Sequence, residues 1–350
     1  MIVNHFRIRL AMLALCACGY AQSTPAAGAA SGGTGPYPAI AEGDSGLPTH
    51  TIYRPSNLDA FGMDQKLPVV AWANGACMNS SKDYDPFLTE IASHGFLVVA
   101  IGPYNAASAQ DETKSSQLLD ALNWATAENA RKDSKYYQKV DSSKFAVMGH
   151  SCGGLQAMAV SSDPRVTTTV MWNSGTFDQN NPPLMEPPNA TAGDEGAPGA
   201  ASAPGGPGSA GGPAGAGASG ATGAPGAAGG PRGGGPPAGM KIQTVDVSKD
   251  DLKKLHGPIL YVGGGSSDIA YANMMDDFEK ISQVPVFVGN RETGHLGTYS
   301  QPNGGPFGVM GVAWLKWQLK DDQEAKKMFA RESCGFCKAE GWTVKSKNLK

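Results

Sequence analysis

The chain has little excess charge of either sign: 28 Lys and Arg stand against 31 Asp and Glu in 350 residues, a formal net charge of −3. Non-specific nucleic-acid binding needs a basic footprint to neutralise phosphates, so this balance excludes it. Long apolar runs are also missing. The N-terminal run Leu10 to Ala17 falls short of the ~20 residues that a helix needs to cross a bilayer, and no second stretch reaches that length. Histidine is scarce, at 6 residues, and so is cysteine, at 6. A zinc site on Cys334-Gly335-Phe336-Cys337 would need two more ligands, and only His50 and His256 have no closer role, so no metal is expected. Apolar residues, by contrast, make up 41% of the chain, enough for a real core, and wholesale disorder is excluded.

Glycine and proline are abundant, at 47 and 25, but unevenly spread. Residues 191–240 hold 19 Gly and 8 Pro, and the rest has the composition of an ordinary globular domain. Glycines recur in steps of three within this window, at 193, 196, 199 and again from 217 to 229. The period slips twice, so a collagen helix is excluded in favour of a disordered Gly/Ala/Pro insert with almost nothing to bury.

The N-terminus reads as an export signal. Arg7 and Arg9 precede the apolar run, and Gly19-Tyr20-Ala21 offers a cleavage site before Gln22. The expected organisation is a signal peptide at 1–21, a flexible tether at 22–48 and one domain at 49–330 interrupted by the insert, then a tail at 331–350 carrying the Cys-x-x-Cys. A secreted or periplasmic location follows, with lipid anchoring at Cys18 as the alternative. Cleavage leaves Cys77, Cys152, Cys334 and Cys337, an even count in an oxidising compartment that invites two disulfides. Cys334–Cys337 reads as a local one, since it follows a helical pattern rather than opening a helix as a redox pair would.

Apolar strands alternate with amphipathic helices. Strands are predicted at Thr49–Tyr53, Leu67–Ala73, Phe96–Ile101, Lys144–Met148, Val166–Trp172, Pro258–Val262 and Val284–Val288. Helices are predicted at Pro86–His94 and Ser115–Ala130, with a long last one opening at Val309–Leu319. That alternation predicts an α/β fold: a mainly parallel, doubly wound sheet with helices on both faces.

The strongest chemical signal is Gly149-His150-Ser151-Cys152-Gly153, between an apolar strand and a helical run. Strand, sharp turn and helix are the context of a nucleophile elbow, which would present Ser151 at the carboxyl edge of the sheet. A serine nucleophile needs a base and an acid to orient it, in the chain order Ser, acid, His. Of the two later histidines, His256 precedes a strand and lies at the wrong edge, whereas His295 follows one in a glycine-rich loop. Asp268 is the single carboxylate in the loop after Pro258–Val262. Asp246, Asp250 and Asp251 precede that strand, Asp276 and Asp277 sit on the next helix, and Glu292 is too near His295. His150 and His94 read as structural. Two N–H donors are needed for the oxyanion: Cys152, after the nucleophile, and Ala76, in the loop Asn74-Gly75-Ala76-Cys77. Two donors sharing one hole would make Cys77 and Cys152 neighbours, and a disulfide between them would brace it.

Pro68-Val69-Val70, Asn74-Gly75 and Ile91-Ala92-Ser93-His94-Gly95-Phe96-Leu97-Val98-Val99-Ala100 resemble the dienelactone-hydrolase-like branch of the α/β-hydrolases, which includes bacterial cutinases, polyester hydrolases and chlorophyllases. Ser267-Asp268-Ile269-Ala270, Gly294-His295 and Val312-Ala313-Trp314-Leu315-Lys316 are similar to the polyester hydrolases in particular. The resemblance, running from about Thr49 to Phe329, implies a serine carboxylesterase without cofactor or metal. It carries Ser151, Asp268 and His295 over as the triad. Polyester hydrolases usually place an aromatic where this chain has Ala76, and Met where it has Cys152, so the aromatic platform is incomplete. Trp172 and Tyr104, at strand ends, are expected to line a substrate pocket. The expected partner is an ester, small or polymeric, and the expected state a monomer. An amidase or peptidase on the same scaffold, or a non-catalytic surface protein, are the competing expectations.

Overall fold

The computed structural model describes residues 32–105, 113–177, 245–330 and 334–349. The predicted signal peptide at 1–21 and the insert at 191–240 lie outside the described residues. Within them the chain builds a nine-stranded sheet. In chain order the strands are β1 Ala39–Gly43, β2 His50–Pro55, β3 Leu67–Ala73, β4 Leu97–Ile101, β5 Val140–His150, β6 Val166–Trp172, β7 Ile259–Gly263, β8 Val286–Asn290 and β9 Thr343–Lys347. They stand side by side as β1-β2-β4-β3-β5-β6-β7-β8-β9. From β4 to β8 every pairing is parallel, while β1, β2 and β9 run antiparallel at the edges. The main helices are α1 Asp85–Ser93, α2 Ser116–Ala130, α3 Cys152–Val160, α4 Tyr271–Lys280 and α5 Gly305–Lys320, followed by the single turns α6 Gln323–Lys326 and α7 Gly335–Lys338.

The alternation of side chains along each strand sorts the core onto two faces. Val70 and Trp72 of β3 face α1 and α5, packing with Phe87, Ile91, Phe307 and Trp314. Val69, Ala71 and Ala73 of the same strand face α2 and α3, packing with Leu118, Leu122, Ala157 and Val160. Further along the sheet, Tyr261 and Val286 meet Leu155 of α3 and Phe278 of α4. Burying an aliphatic or aromatic side chain fully contributes roughly 1.5–3 kcal/mol, so these layers hold the sheet between its helices. The expected mainly parallel sheet, covered on both faces, is the observed one.

Two boundaries need correction. Residues 39–43, expected in a flexible tether spanning 22–48, pair with β2 as the first edge strand. Residues 343–347, expected in a tail at 331–350, pair with β8 as the last. Both strands are only partly covered, with burial patterns that never reach a continuous buried run. Parallel strands buried on both faces read as apolar runs, and these edge strands do not.

The two ends of the stretch that carries the insert lie together. Phe177 bridges to Ser248. Asp277 of α4 accepts from the Thr176 N–H at 2.8 Å and from Lys249 Nζ at 2.7 Å. Lys249 opens a short 3-10 turn capped by a reciprocal Ser248–Asp251 pair.

Candidate active site

β5 ends at His150, and α3 begins at Cys152. The residue between them, Ser151, has φ 53° and ψ −116°, a conformation that L-residues hold only when surrounding structure enforces it. Here the enforcement is visible. The Ser151 N–H donates to the Trp172 carbonyl at 2.9 Å, and the Ser151 carbonyl accepts from the Gly154 N–H and the Ser174 hydroxyl at 2.9 and 2.8 Å. A Cβ on Gly149 would lie 2.3 Å from the Gly153 carbonyl oxygen, and one on Gly153 would lie 2.2 Å from that of Ala73. Any larger residue at either position would push the turn away from β3, which is the physical content of the Gly-x-Ser-x-Gly spacing.

His295 lies in the turn after β8, where the Thr293 and Gly294 N–H groups donate to the Gly264 carbonyl at 3.0 and 2.7 Å. Its Nε2 is 2.9 Å from Ser151 Oγ, and its Nδ1 is 2.7 Å from Asp268 Oδ1. An ionised carboxylate only accepts, so Nδ1 carries the proton and Nε2 is left to accept from the serine hydroxyl. Asp268, expected from its position after β7, is buried. Its Oδ1 also accepts from the Ala270 N–H at 3.0 Å, and its Oδ2 from the Gly264 N–H at 2.9 Å and Asn173 Nδ2 at 2.8 Å. Burial opposes its charge, but the hydrogen bond and charge of His295 and the two backbone N–H groups outweigh it, holding the carboxyl down at about 2. The three side chains expected from the sequence therefore meet in one hydrogen-bonded line.

The loop after β3 reaches the elbow covalently. Cys77 and Cys152 are disulfide-bonded, with Cα atoms 5.2 Å apart, and Cys334 and Cys337 form the second, local bridge. Ala76 and Cys77 sit in a tight 3-10 turn at φ 51° and 50°. Asn74 fixes the approach to that turn: its Oδ1 accepts from Trp72 Nε1, and its Nδ2 donates to the Met78 and Ile101 carbonyls.

Of the two expected pocket aromatics, Trp172 is closed to any substrate and Tyr104 is exposed. Trp172 is wholly buried, its ring edge-on to Phe87 and tilted against Phe307; as a residue of the inner face of β6 it belongs to the core. Tyr104 is 45% exposed and lies against Gly43 of β1. β1 stands four strand positions from β5, about 19 Å at the usual spacing between strands. The large apolar side chains exposed at the site are instead Ile269 and Leu296, 62% and 73% exposed, each next in sequence to a member of the hydrogen-bonded line.

Asn173 and Tyr299 escaped the sequence reading. Asn173, just past β6 at φ 43°, donates to Asp268 and accepts the Tyr299 hydroxyl proton at 2.6 Å. Both are fully or almost fully buried. The one local hint was a polar residue directly after an apolar strand that ends at the productive edge.

Over residues 22–189 the chain matches the model of a family described as PETase, PET hydrolase-like. It is 41% identical over 64 residues to cutinase est1 and to cutinase est2 of Thermobifida alba, and 42% identical over 64 residues to cutinase 1 of Thermobifida cellulosilytica. These segments cover 18% of this chain and 20%, 20% and 23% of the respective relatives. The chain thus spans about a fifth of the length of the curated relatives it matches. Sheet order, elbow and family match together give the α/β-hydrolase fold, similar to that of cutinases and polyester hydrolases, as the sequence resemblance implied.

Proposed function

We propose that this protein is an exported serine hydrolase that cleaves carboxylic esters through an acyl-enzyme. The observation that carries the reading is the line Ser151 Oγ, His295 Nε2, His295 Nδ1, Asp268 Oδ1, with steps of 2.9 and 2.7 Å between residues. Ser151 Oγ attacks the ester carbonyl while His295 Nε2 takes its proton. The Nδ1–H stays on the histidine, and Asp268 stabilises the imidazolium that forms. The backbone N–H groups of Ala76 and Cys152 hold the oxyanion, and the Cys77–Cys152 bridge fixes the distance between them. His295 then returns the proton to the leaving alcohol, and water, activated by the same imidazole, releases the acid.

Ile269 and Leu296 give the site an apolar rim, which suits an ester with an apolar acyl or alcohol part, whether small or polymeric. The matches to a PET hydrolase-like family and to cutinases support the same class of substrate. Two disulfides fit an oxidising compartment, and no helix among the described residues is long and apolar enough to cross a membrane. The protein is read as a monomer.

The test is a chain-length series of p-nitrophenyl esters run on the full chain and on Ser151→Ala, beside labelling with a fluorophosphonate. Turnover that falls by roughly 10⁴-fold or more in the variant, with the label on Ser151, is the expected result. Label on another residue, unchanged turnover in Ser151→Ala, or faster hydrolysis of the matching anilides would overturn the reading.

A further inference from the structure

Three loops meet at the site, and a second set of hydrogen bonds joins them behind the reacting atoms. The Gly75 N–H, one residue before Ala76, donates to the Tyr84 hydroxyl oxygen at 2.9 Å. That hydroxyl lies 2.8 Å from Nδ1 of His150, and Nε2 of His150 lies 2.8 Å from the backbone carbonyl of His295. Directions follow from the chemistry. A carbonyl only accepts, so Nε2 carries the proton of the neutral ring; Nδ1 is then an acceptor, and Tyr84 donates to it. The set is closed: each of the two nitrogens and the hydroxyl has a partner, and His150 is buried.

Charge on this ring is disfavoured. Burial, with the neighbouring His295 adding to it, lowers the His150 imidazole to about 3, so at neutral pH it has one proton to place and one place to put it. Packing holds the geometry. Tyr84 packs against both Trp72 and Tyr299 at centroid distances of 5.0 and 5.3 Å, and the His150 ring is 4.9 Å from that of Tyr299. The approach is close enough that a Cβ on Gly75 would fall 2.4 Å from His150 Nδ1.

We infer that Tyr84 and His150 are positioning residues of the reaction: their hydrogen bonds set the oxyanion loop at Gly75 and the backbone of the base His295 against one another. This rests on the esterase reading above. Neither residue is a catalytic one, since neither meets Ser151 Oγ. The disulfide ties the oxyanion loop to the residue after the nucleophile; the Tyr84–His150 pair ties it to the base. Backbone bonds to Gly264 hold the His295 turn independently, so cutting the pair displaces the turn slightly without releasing it.

The experiment compares Tyr84→Phe, His150→Gln and His150→Leu in the full chain. Gln carries an amide N–H that can reach the His295 carbonyl, whereas Leu carries none. Misplacement of reacting groups by a fraction of an ångström acts on turnover, so kcat falls roughly tenfold or more in Tyr84→Phe, with KM within about twofold of wild type. His150→Gln retains at least about fivefold more kcat than His150→Leu. Phosphonylation of Ser151 slows in the same order. Tyr84→Phe with wild-type kcat, or Gln and Leu variants of equal activity, overturns the inference. Should the variants fold poorly, ¹⁵N chemical shifts of the wild-type imidazoles decide: His150 is neutral with its proton on Nε2 from about pH 5 to about pH 8, and an Nδ1–H tautomer or an imidazolium overturns it. Wild-type protein that is not labelled at Ser151 sinks the esterase reading instead, and the tautomer measurement still decides this one.

Discussion

Asp268, just before α4, and Asp277, within it, are both buried and both take four hydrogen bonds, yet their carboxyls are driven in opposite directions. Asp268 accepts from His295, Asn173 and the N–H groups of Gly264 and Ala270. Asp277 accepts from the Thr176 N–H and hydroxyl, from Lys249 and from Tyr261. At Asp277 burial outweighs the charge of Lys249 and the bonds from Thr176, and the carboxyl is raised; at Asp268 the donors prevail and it is lowered to about 2. What faces the two carboxyls explains the divergence. Asp268 meets the partly exposed His295 and two backbone N–H groups, while Asp277 is wholly enclosed with Lys249, Thr176 and Tyr261. Asp268 also precedes the first turn of α4 and Asp277 lies in its last, and a helix favours an anion at its N-terminus and disfavours one at its C-terminus. A count of donors does not set the charge of a buried acid; the kind and charge of its partners, set against burial, do. On the proposed esterase reading the first of these aspartates stabilises a transient cation, and the second fastens the chain on either side of the insert.

The largest expected effect separates the two by activity. Asp268→Asn leaves shape nearly intact but faces His295, Gly264 and Asn173 with an amide, and ester turnover is expected to drop roughly 10⁴-fold. Asp277→Asn is expected to keep kcat within about twofold. Comparable losses in both, measured as kcat/KM on one p-nitrophenyl ester, would erase the distinction between a site acid and a structural one.

Stability orders them the other way. In urea unfolding Asp277→Asn is expected to cost about 3 kcal/mol, because removing one partner of a buried ion pair leaves the rest desolvated. Lys249 keeps Asp276 at 2.7 Å, which limits the loss. Asp268→Asn is expected to cost only about 1–2 kcal/mol, the scale of donors left on a poor acceptor.

The pH dependence of these deficits should run in opposite senses. Asp268 has a lowered carboxyl, so its contribution is complete above the ordinary aspartate range and is lost as pH falls through that range towards about 2. The deficit of Asp268→Asn therefore narrows on acidification. Asp277 has a raised carboxyl, so the folded state takes up its proton before the unfolded chain does, and wild type gains on acidification. The deficit of Asp277→Asn therefore widens as pH falls through the raised folded-state range towards the ordinary aspartate range. Thermal unfolding of the three proteins across the acid range checks both slopes, and parallel slopes would refute the comparison.

Only one of the two placements was legible in the sequence. Asp268 could be named because it alone occupied the loop after β7, and loop position after a parallel strand is a local property. The elbow was legible for the same reason, as a strand, a glycine-flanked serine and a helix contiguous in the chain. Asp277 was set aside as a helix residue, and it does lie in α4, but nothing in its neighbourhood announces Thr176 or Lys249. Asn173 and Tyr299, separated from their partners by 95 and 126 residues, were invisible for the same reason. Trp172 was misplaced because a strand-end aromatic looks alike from the sequence whichever face it takes. β1 and β9 went unseen because an edge strand needs one covered face and one neighbour, so Ala39–Gly43 and Thr343–Lys347 carry no apolar run.

The smallest effect tests what the fastening by Asp277 accomplishes. Phe177 and Ser248 are bridged, and Thr176 and Lys249 share one carboxylate, so the two ends of the intervening stretch are held by contacts that do not involve residues 191–240. Deleting 191–240 shortens the connection from about 70 residues to about 20, and loop-closure entropy scales with the logarithm of length. For a segment of this Gly/Ala/Pro composition the expected gain is about 1 kcal/mol in unfolding free energy, with ester turnover within about twofold of the full chain. If the deletion destabilises the protein or lowers kcat well beyond that, the segment itself supports the site, and Asp277 is one of several fastenings. In an Asp277→Asn background the ends lose their shared anchor. A shortened connection then offsets part of the loss, so the gain from deletion should be at least as large there as in the wild-type chain.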